Sequence, residues 1–148
     1  MVSFIWREDL NTGINEIDDE HRHCFDIINR LSAASSSFAD RSVLLETFTE
    51  LTEYLKAHFS TEEKLMMQYY YPKLQHHKEL HGEFIQKLIE LYQECMYRQT
   101  DISISLLYSL QEWLIAHIKD EDTKYIKCVN DTKHVMKLKK RGNPDTFS

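Results

Sequence analysis

Seven side chains that can bind a transition metal are spread over four separate segments of this chain. Imidazole nitrogens and carboxylate oxygens are common ligands of such metals, and four helices could bring these side chains to one place. In chain order they are His21, His58, Glu62, His77, His81, His117 and Asp122. Seven ligands on four segments predict a two-metal centre inside a helical bundle.

Two of the segments place a pair of these side chains one helical turn apart. His58 and Glu62 are four residues apart, as are His77 and His81, so each pair lies on one face of a helix. A single pair is a weak indication of a site, because polar pairs at this spacing are common on helix surfaces. Two pairs on inward faces, with further inward ligands on two other helices, are much harder to obtain by accident.

His117 and Asp122 have a different spacing. They are five residues apart, which in a regular α-helix separates them by about 140° around the helix axis. Two arrangements would bring both side chains to one centre. Either one turn of the helix is widened, as in a π-bulge, or Asp122 reaches around the end of its helix.

Apolar residues at helical spacing predict the elements that position these side chains. The chain has 3 glycines and 2 prolines, which favours long helices over a turn-rich β fold. Four amphipathic segments follow an irregular arm at residues 1–16, in which Ile5, Trp6 and Ile14 are expected to pack against the body. Asp18 and Asp40 are candidate N-caps of the first two helices.

The predicted fold class is all-α, an up-down-up-down antiparallel four-helix bundle with an N-terminal arm and a basic C-terminal extension. Short connections make successive helices antiparallel neighbours. The candidate ligands occur early in the first and third helices and late in the second and fourth, so all of them fall at the same end of the bundle. They lie on the apolar faces, where an unpaired carboxylate is unfavourable. A bound cation is therefore expected.

The length of 148 residues fits a single domain, with the arm at residues 1–16 and the extension at residues 127–148. Residues 1–123 carry 11 basic and 22 acidic side chains, a balance of −11, whereas residues 124–148 carry 7 and 2, a balance of +5. An acidic body argues against a nucleic-acid partner. The basic residues near the C-terminus are expected to form a solvated helix end, with contact to the acidic body or to a partner as the alternative.

The chain has no apolar stretch of the roughly 18 residues that a membrane span needs, so no membrane partner is expected. Its N-terminus lacks the basic and apolar regions of a secretory signal. Cys24, Cys95 and Cys128 are odd in number and far apart, which is typical of reduced thiols in the cytoplasm. Cys24 and Cys95 are expected to be small core residues, and a cytoplasmic monomer is the default expectation.

The four ligand segments together resemble the hemerythrin family, in its single-domain bacterial type. The family pattern is an early His followed by HxxxE, HxxxH and HxxxxD. It is matched by IDDEH ending at His21, HFSTE from His58 to Glu62, HKELH from His77 to His81, and HIKDED from His117 to Asp122. The resemblance covers about residues 4–126 and leaves the role of residues 127–148 open. The family most often has Gln before the first His, where this chain has Glu20.

The resemblance implies a centre of two iron ions bridged by hydroxide or oxide. It assigns His77, His81 and His117 to one iron, and His21 and His58 to the other. Glu62 and Asp122 are assigned to the bridge between the two irons. One coordination position then stays open on the iron that two histidines hold. The implied function is reversible dioxygen binding by an oxygen carrier, store or sensor, and not an enzyme activity.

Four apolar residues beside the ligands in sequence, Phe59, Trp113, Leu114 and Ile118, are expected to line a dry oxygen pocket, which is compatible with ordinary core packing. The remaining histidines, His23, His76 and His134, are expected at the surface or behind the ligands. The runner-up function is a di-iron enzyme that acts on peroxide or nitric oxide, or a protein that handles iron. A bundle with hydrogen-bonded core histidines, or a site for zinc, copper or nickel, stays open as well.

Overall fold

The computed structural model describes residues 4–36, 41–98 and 104–142, which are almost entirely helical. After a short 3₁₀ turn at Glu8–Leu10 come α1 (Asn15–Ser36), α2 (Arg41–Gln68), α3 (Leu74–Arg98), α4 (Ile104–Ala116) and α5 (Thr123–Gly142). A π-helical turn, His117–Asp122, joins α4 to α5 without a break, so these three pieces form one rod. The predicted four-helix bundle is confirmed, and the candidate N-cap Asp40 lies outside the described residues.

The four rods form a bundle that the fourth rod closes by contact with α1 and α2. Helix α1 packs on α2, α2 packs on α3, α4 returns to α1, and α5 contacts α2. A bilayer span needs roughly 20 consecutive apolar residues, and none of the helices in the described ranges has such a stretch. No disulfide joins the three cysteines, and Cys24 and Cys95 are buried as predicted.

Two hydrophobic clusters lie on either side of the candidate ligands. The larger one contains residues such as Phe48, Leu55 and Leu88. The smaller one is built from Met66, Tyr71, Tyr125, Ile126 and Val129. Along α2, α3 and the fourth rod, the ligands come between residues of the larger cluster and residues of the smaller one. The apolar clusters thus enclose the polar centre along the bundle axis.

The N-terminal arm is held to the bundle at several points. The Trp6 ring packs edge-on against Phe25, with ring centroids 5.3 Å apart. Lys119 Nζ lies 2.9 Å from Asp9 Oδ2 and so links the arm to the π-helical turn. The predicted packing is confirmed for Trp6 and Ile14, but it is wrong for Ile5, which is 80% exposed.

The turn that leads into α1 is fixed by Asp18. Its Oδ1 accepts hydrogen bonds from the Thr12 backbone N–H at 2.7 Å and from the Thr12 hydroxyl at 2.8 Å, and its Oδ2 accepts from Gly13 N–H at 3.3 Å. The prediction of Asp18 as N-cap is wrong, because α1 already begins at Asn15. Asp18 acts instead from inside the first turn, where its carboxylate satisfies donors of the preceding loop.

Gly13 and Gly82 make a matched pair for a test of this local structure. Gly13 has φ +88°, while Gly82 lies inside α3, and an added Cβ would meet nothing within 4 Å at either site. Gly13→Ala should lower the free energy of unfolding by about 1–2 kcal/mol, because an L-residue is strained at this φ. Gly82→Ala should raise it by about 0.5–1 kcal/mol through helix propensity. Denaturant unfolding of both variants measures the two signs, and equal effects would contradict this account.

Candidate metal centre

The structure brings all seven sequence-predicted ligands together at one level of the bundle. One side chain comes from α1, two from α2, two from α3 and two from the π-helical turn. Each is buried, with at most 5% of its surface exposed. They are His21, His58, Glu62, His77, His81, His117 and Asp122.

Three of the histidines form one group. The Nε2 atoms of His77 and His117 each lie 3.2 Å from Asp122 Oδ1. His81 Nε2 lies 3.1 Å from His117 Nε2 and 3.7 Å from Glu62 Oε1. The ligand atoms of these three histidines and the two carboxylates all lie within 4.8 Å of one another, which is compact enough for one metal ion.

The other two histidines form a second, smaller group. His21 Nε2 lies 3.3 Å from Asp122 Oδ2, and His58 Nε2 lies 2.8 Å from Glu62 Oε1. Asp122 therefore presents one oxygen to each group, Oδ1 to the three-histidine side and Oδ2 to the two-histidine side. Glu62 Oε1 also lies between the groups, since His58 and His81 approach it from opposite sets.

Several of these atoms are close together but make no hydrogen bond. Both ring nitrogens of His21 and His77, Glu62 Oε1 and both Asp122 oxygens are buried without a hydrogen-bond partner in the described residues. The contacts of about 3 Å lack hydrogen-bond geometry, so the atoms converge without pairing. Although burial favours a protonated carboxyl, His117 and the other imidazoles around Asp122 hold its pKa well below the usual range. A cation satisfies such a donor set, and nitrogen with carboxylate oxygen suits a transition metal.

Charge acts in opposite directions on two of the imidazoles. Burial disfavours the charged form of His58, but the Glu62 and Glu20 carboxylates outweigh burial and raise the pKa of His58 to about 10. Burial lowers the pKa of His81 to about 2, and repulsion from His117 adds to this effect. His58 therefore favours the protonated, positively charged form, whereas His81 favours the neutral form.

Two further carboxylates hold the far sides of the imidazoles. His58 Nδ1 lies 3.1 Å from Glu20 Oε1, and His81 Nδ1 lies 3.0 Å from Glu63 Oε1. These contacts favour the Nδ1 proton, so that Nε2 is the nitrogen directed at a metal. At His58, metal binding requires loss of the Nε2 proton that the neighbouring carboxylates stabilise. Tyr125 adds a third contact, since its hydroxyl donates to Glu62 Oε2 at 2.5 Å.

Sequence reasoning did not select the roles of Glu63 and Tyr125, and it noted Glu20 only as a departure from the family pattern. Their positions carry a partial signal. Glu20 and Glu63 each directly neighbour a ligand, and Tyr125 follows Asp122 by three residues. Nothing in the spacing shows which imidazole each would contact.

The π-helical turn resolves the spacing of His117 and Asp122. Residues His117–Asp122 form π-helix, and the flanking Ala116 and Thr123 keep right-handed helical dihedrals. Because a π-helix pairs residues five apart, both side chains point into the same centre. The widened-turn prediction is confirmed, and the alternative in which Asp122 reaches around a helix end is excluded, since the helix continues through it.

Comparison with known proteins agrees with this geometry. The sequence model described as "Hemerythrin HHE cation binding domain" matches residues 12–129, which is most of the chain and includes every one of the candidate ligands. The chain belongs to the hemerythrin family. Membership implies non-heme iron as the metal, and the His, Glu and Asp cluster is able to hold it.

Individual members of the hemerythrin family align over most of the chain. A bacteriohemerythrin of Stenotrophomonas maltophilia is 36% identical over 125 residues, covering 84% of this chain and 80% of that protein. A bacteriohemerythrin of Pseudomonas aeruginosa is 32% identical over 143 residues, covering 96% of this chain and 92% of that protein. The second alignment includes most of residues 127–148, so similarity extends beyond the predicted limit near residue 126.

A solved structure supports the same fold. A wild-type hemerythrin crystal structure superposes with a TM-score of 0.79 at 23% identity, covering 86% of this chain and 98% of that one. At this identity the likeness concerns the bundle architecture alone.

Apolar rings cover the three-histidine side of this hemerythrin-family centre. Phe59 stacks on His81 with centroids 3.8 Å apart and planes 7° apart. Trp113 stacks on His117 at 4.7 Å and 10°. Phe59 also lies 5.8 Å from His58 in the two-histidine group. Leu114 and Ile118 are buried in the larger hydrophobic cluster, so all four residues predicted to line the pocket are in apolar surroundings.

The three remaining histidines are exposed, as predicted for surface residues. His23 packs against the Tyr54 ring at a centroid distance of 4.4 Å, on the outside of α1. His76 directly precedes the ligand His77 but faces solvent. His23 therefore offers a matched control for substitutions at His77.

Metal binding should stabilise the fold of this hemerythrin-family protein. At an iron concentration about 100 times the dissociation constant, linkage supplies about 2.7 kcal/mol, which raises the Tm of a domain of this size by roughly 5–10 °C. Ferrous iron added anaerobically to metal-free protein should produce this shift in calorimetry. His77→Ala should reduce the shift strongly, and His23→Ala should leave it unchanged. An equal shift in both variants would contradict the assignment of the cluster.

Proposed function

We propose that this chain binds dioxygen reversibly at a non-heme di-iron centre, as an oxygen carrier, store or sensor. The observation that carries the proposal is the unequal division of five histidines around two shared carboxylates. Three Nε2 atoms approach the carboxylates on one side and two approach them on the other. With the carboxylates shared equally, one metal has one fewer protein ligand than the other.

The division assigns a role to each ligand. One metal would be held by His77, His81 and His117, and the other by His21 and His58. Glu62 and Asp122 would be shared between the two metals. Asp122 is suited to bridging because its two oxygens face different groups. The ion on the two-histidine side would have fewer protein ligands, so this side would be the one able to accept an exogenous ligand. Iron, when bound, supplies the reversible exchange of electrons with dioxygen.

The protein side chains supply orientation and exclude water. Glu20 and Glu63 hold His58 and His81 from behind, which fixes the ring orientation and the Nδ1 proton. Tyr125 holds one oxygen of Glu62 through a hydrogen bond. Phe59, Trp113, Leu114 and Ile118 would keep the surroundings of the centre dry, which would disfavour side reactions with water.

The contacts of the nearby carboxylates favour a binding function over enzyme catalysis. Among the described residues, Glu20 and Glu63 each direct an oxygen to the outer nitrogen of an imidazole. This geometry leaves them engaged as hydrogen-bond acceptors rather than directed at the open position. The centre is also rich in imidazole, whereas di-iron oxidases favour carboxylate-rich sites. The alternative is turnover of peroxide or nitric oxide, or iron handling. The absorption spectrum with and without dioxygen distinguishes this alternative from reversible binding.

Oxygen binding should be visible in the absorption spectrum. Purified protein is reduced anaerobically, exposed to dioxygen and then purged with inert gas. A charge-transfer band should appear with dioxygen and disappear on purging, with about two iron atoms per chain by elemental analysis. His21→Ala should lower the iron content and remove the band, while His23→Ala should retain both. Irreversible bleaching, or steady consumption of dioxygen or peroxide, would favour the enzyme, and absence of iron would reject both functions.

The apolar surroundings should control the lifetime of the oxygenated protein. Leu114 and Ile118 are buried in the larger cluster close in sequence to the ligand His117. Leu114→Ala and Ile118→Ala should each open space near the centre, and the entry of water should increase the rate of autoxidation severalfold. The decay of the charge-transfer band in air measures this rate. Leu91→Ala is a suitable control, because Leu91 belongs to the same hydrophobic cluster but lies on α3 beyond Phe84 and Leu88. Unchanged autoxidation in both test variants would contradict the predicted pocket lining.

A further inference from the structure

The last ten residues of α5 extend beyond the bundle. Val129 is the last buried residue of the helix, and every residue from Lys133 to Gly142 is exposed. An isolated helix of this length is marginal in water, because most helical stability comes from tertiary packing. Basic side chains in the last turn interact favourably with the helix dipole. That effect explains Lys139, Lys140 and Arg141, but it explains neither Lys133, two turns earlier, nor the exposed apolar residues.

This exposed segment is amphipathic. At 100° per residue, four basic side chains fall within an arc of about 100°, namely Lys133, Lys137, Lys140 and Arg141. Val135 and Leu138 lie on the opposite side, Met136 lies at its edge next to Lys140, and these three apolar side chains are 49%, 54% and 56% exposed. The fifth basic residue, Lys139, falls between Val135 and Met136. The stem of Lys133 and those of other lysines line a shallow depression together with Met136, so their methylene groups extend the apolar surface.

The charge of the segment is entirely positive. Residues 132–142 contain five basic side chains and no acidic one, while residues 1–123 have a balance of −11. The protein therefore presents a cationic end on an anionic body. A negatively charged surface would attract this end and repel the rest of the molecule.

The last turn of α2 and the loop that follows it add apolar groups at the same end. Lys133 Nζ lies 5.7 Å from the Tyr69 ring, and the Cys128 thiol lies 3.8 Å from the Tyr69 carbonyl oxygen. Beside them, Met67 is 58% exposed and Tyr70 is 87% exposed. Tyrosine and lysine are side chains that favour the boundary between lipid and water.

We propose that this end, residues 133–142 of α5 with Met67, Tyr69 and Tyr70, docks on an anionic lipid surface. Clusters of basic residues on an amphipathic helix bind acidic headgroups, and the apolar side enters the boundary of the acyl chains. The expectation of no membrane partner was based on the lack of a spanning segment, which surface docking does not need. The inference is independent of the metal centre, so its test does not require iron.

Vesicle flotation with the full-length protein tests the proposal. The protein should float with vesicles that contain phosphatidylglycerol and not with vesicles of pure phosphatidylcholine, and rising salt should weaken binding. Each basic charge near the surface contributes about a fivefold change in affinity. The double variant Lys133→Gln and Lys137→Gln should therefore bind roughly 25-fold more weakly. Val135→Ser with Leu138→Ser should also weaken binding.

A matched control removes the same charge from the bundle. The double variant Lys56→Gln and Lys87→Gln changes the net charge equally but lies on α2 and α3, and it should bind as the parent protein does. Circular dichroism checks that all variants are folded. Equal loss in both charge variants, or equal binding to both vesicle types, would overturn the proposal. A salt-sensitive dimer without vesicle binding would also overturn it and assign this end to a second copy.

Discussion

Two carboxylates buried among five imidazoles are the constraint around which this protein is organised. Removal of a carboxylate from water is unfavourable unless charge or hydrogen bonds compensate, and Asp122 and Glu62 are completely buried. Their oxygens have few hydrogen-bond donors nearby, with Tyr125 the donor to Glu62. The helices bring these side chains to one level between two apolar clusters, where a cation would neutralise the polar layer.

The ligand layer also explains the asymmetry of the bundle. The larger hydrophobic cluster supplies most of the apolar contact, and it ends at the rings of Phe59 and Trp113, which lie directly on His81 and His117. Beyond the ligands the smaller cluster closes the bundle around Tyr125. The same side chains therefore pack the core and cover the ligand imidazoles.

Much of this arrangement could be predicted from the sequence, since periodicity shows which face of a helix is buried. His58 with Glu62 and His77 with His81 follow from spacing of four residues on apolar faces. Contacts that depend on the rotation of a side chain could not be predicted. Glu63 reaches the outer nitrogen of His81 from a neighbouring helix, and Asp18 bonds backward to Thr12 from within α1. Ile5 faces solvent although its type favours burial, because the arm packs through Phe4 and Trp6.

The π-helical turn has a consequence for the rest of its rod. Before the turn the inward residues include Leu107 and Leu114, and continuation at the same helical periodicity would place Glu121 and Cys128 inward. The structure instead buries Asp122 and Val129, each one position later, and leaves Glu121 and Cys128 partly exposed. The fourth rod thus contains two amphipathic repeats that are out of phase by one residue. If residues 117–122 formed a regular α-helix instead, Glu121 would occupy the position where the Asp122 carboxylate now lies, and the apolar face of α5 would be rotated by about 100°.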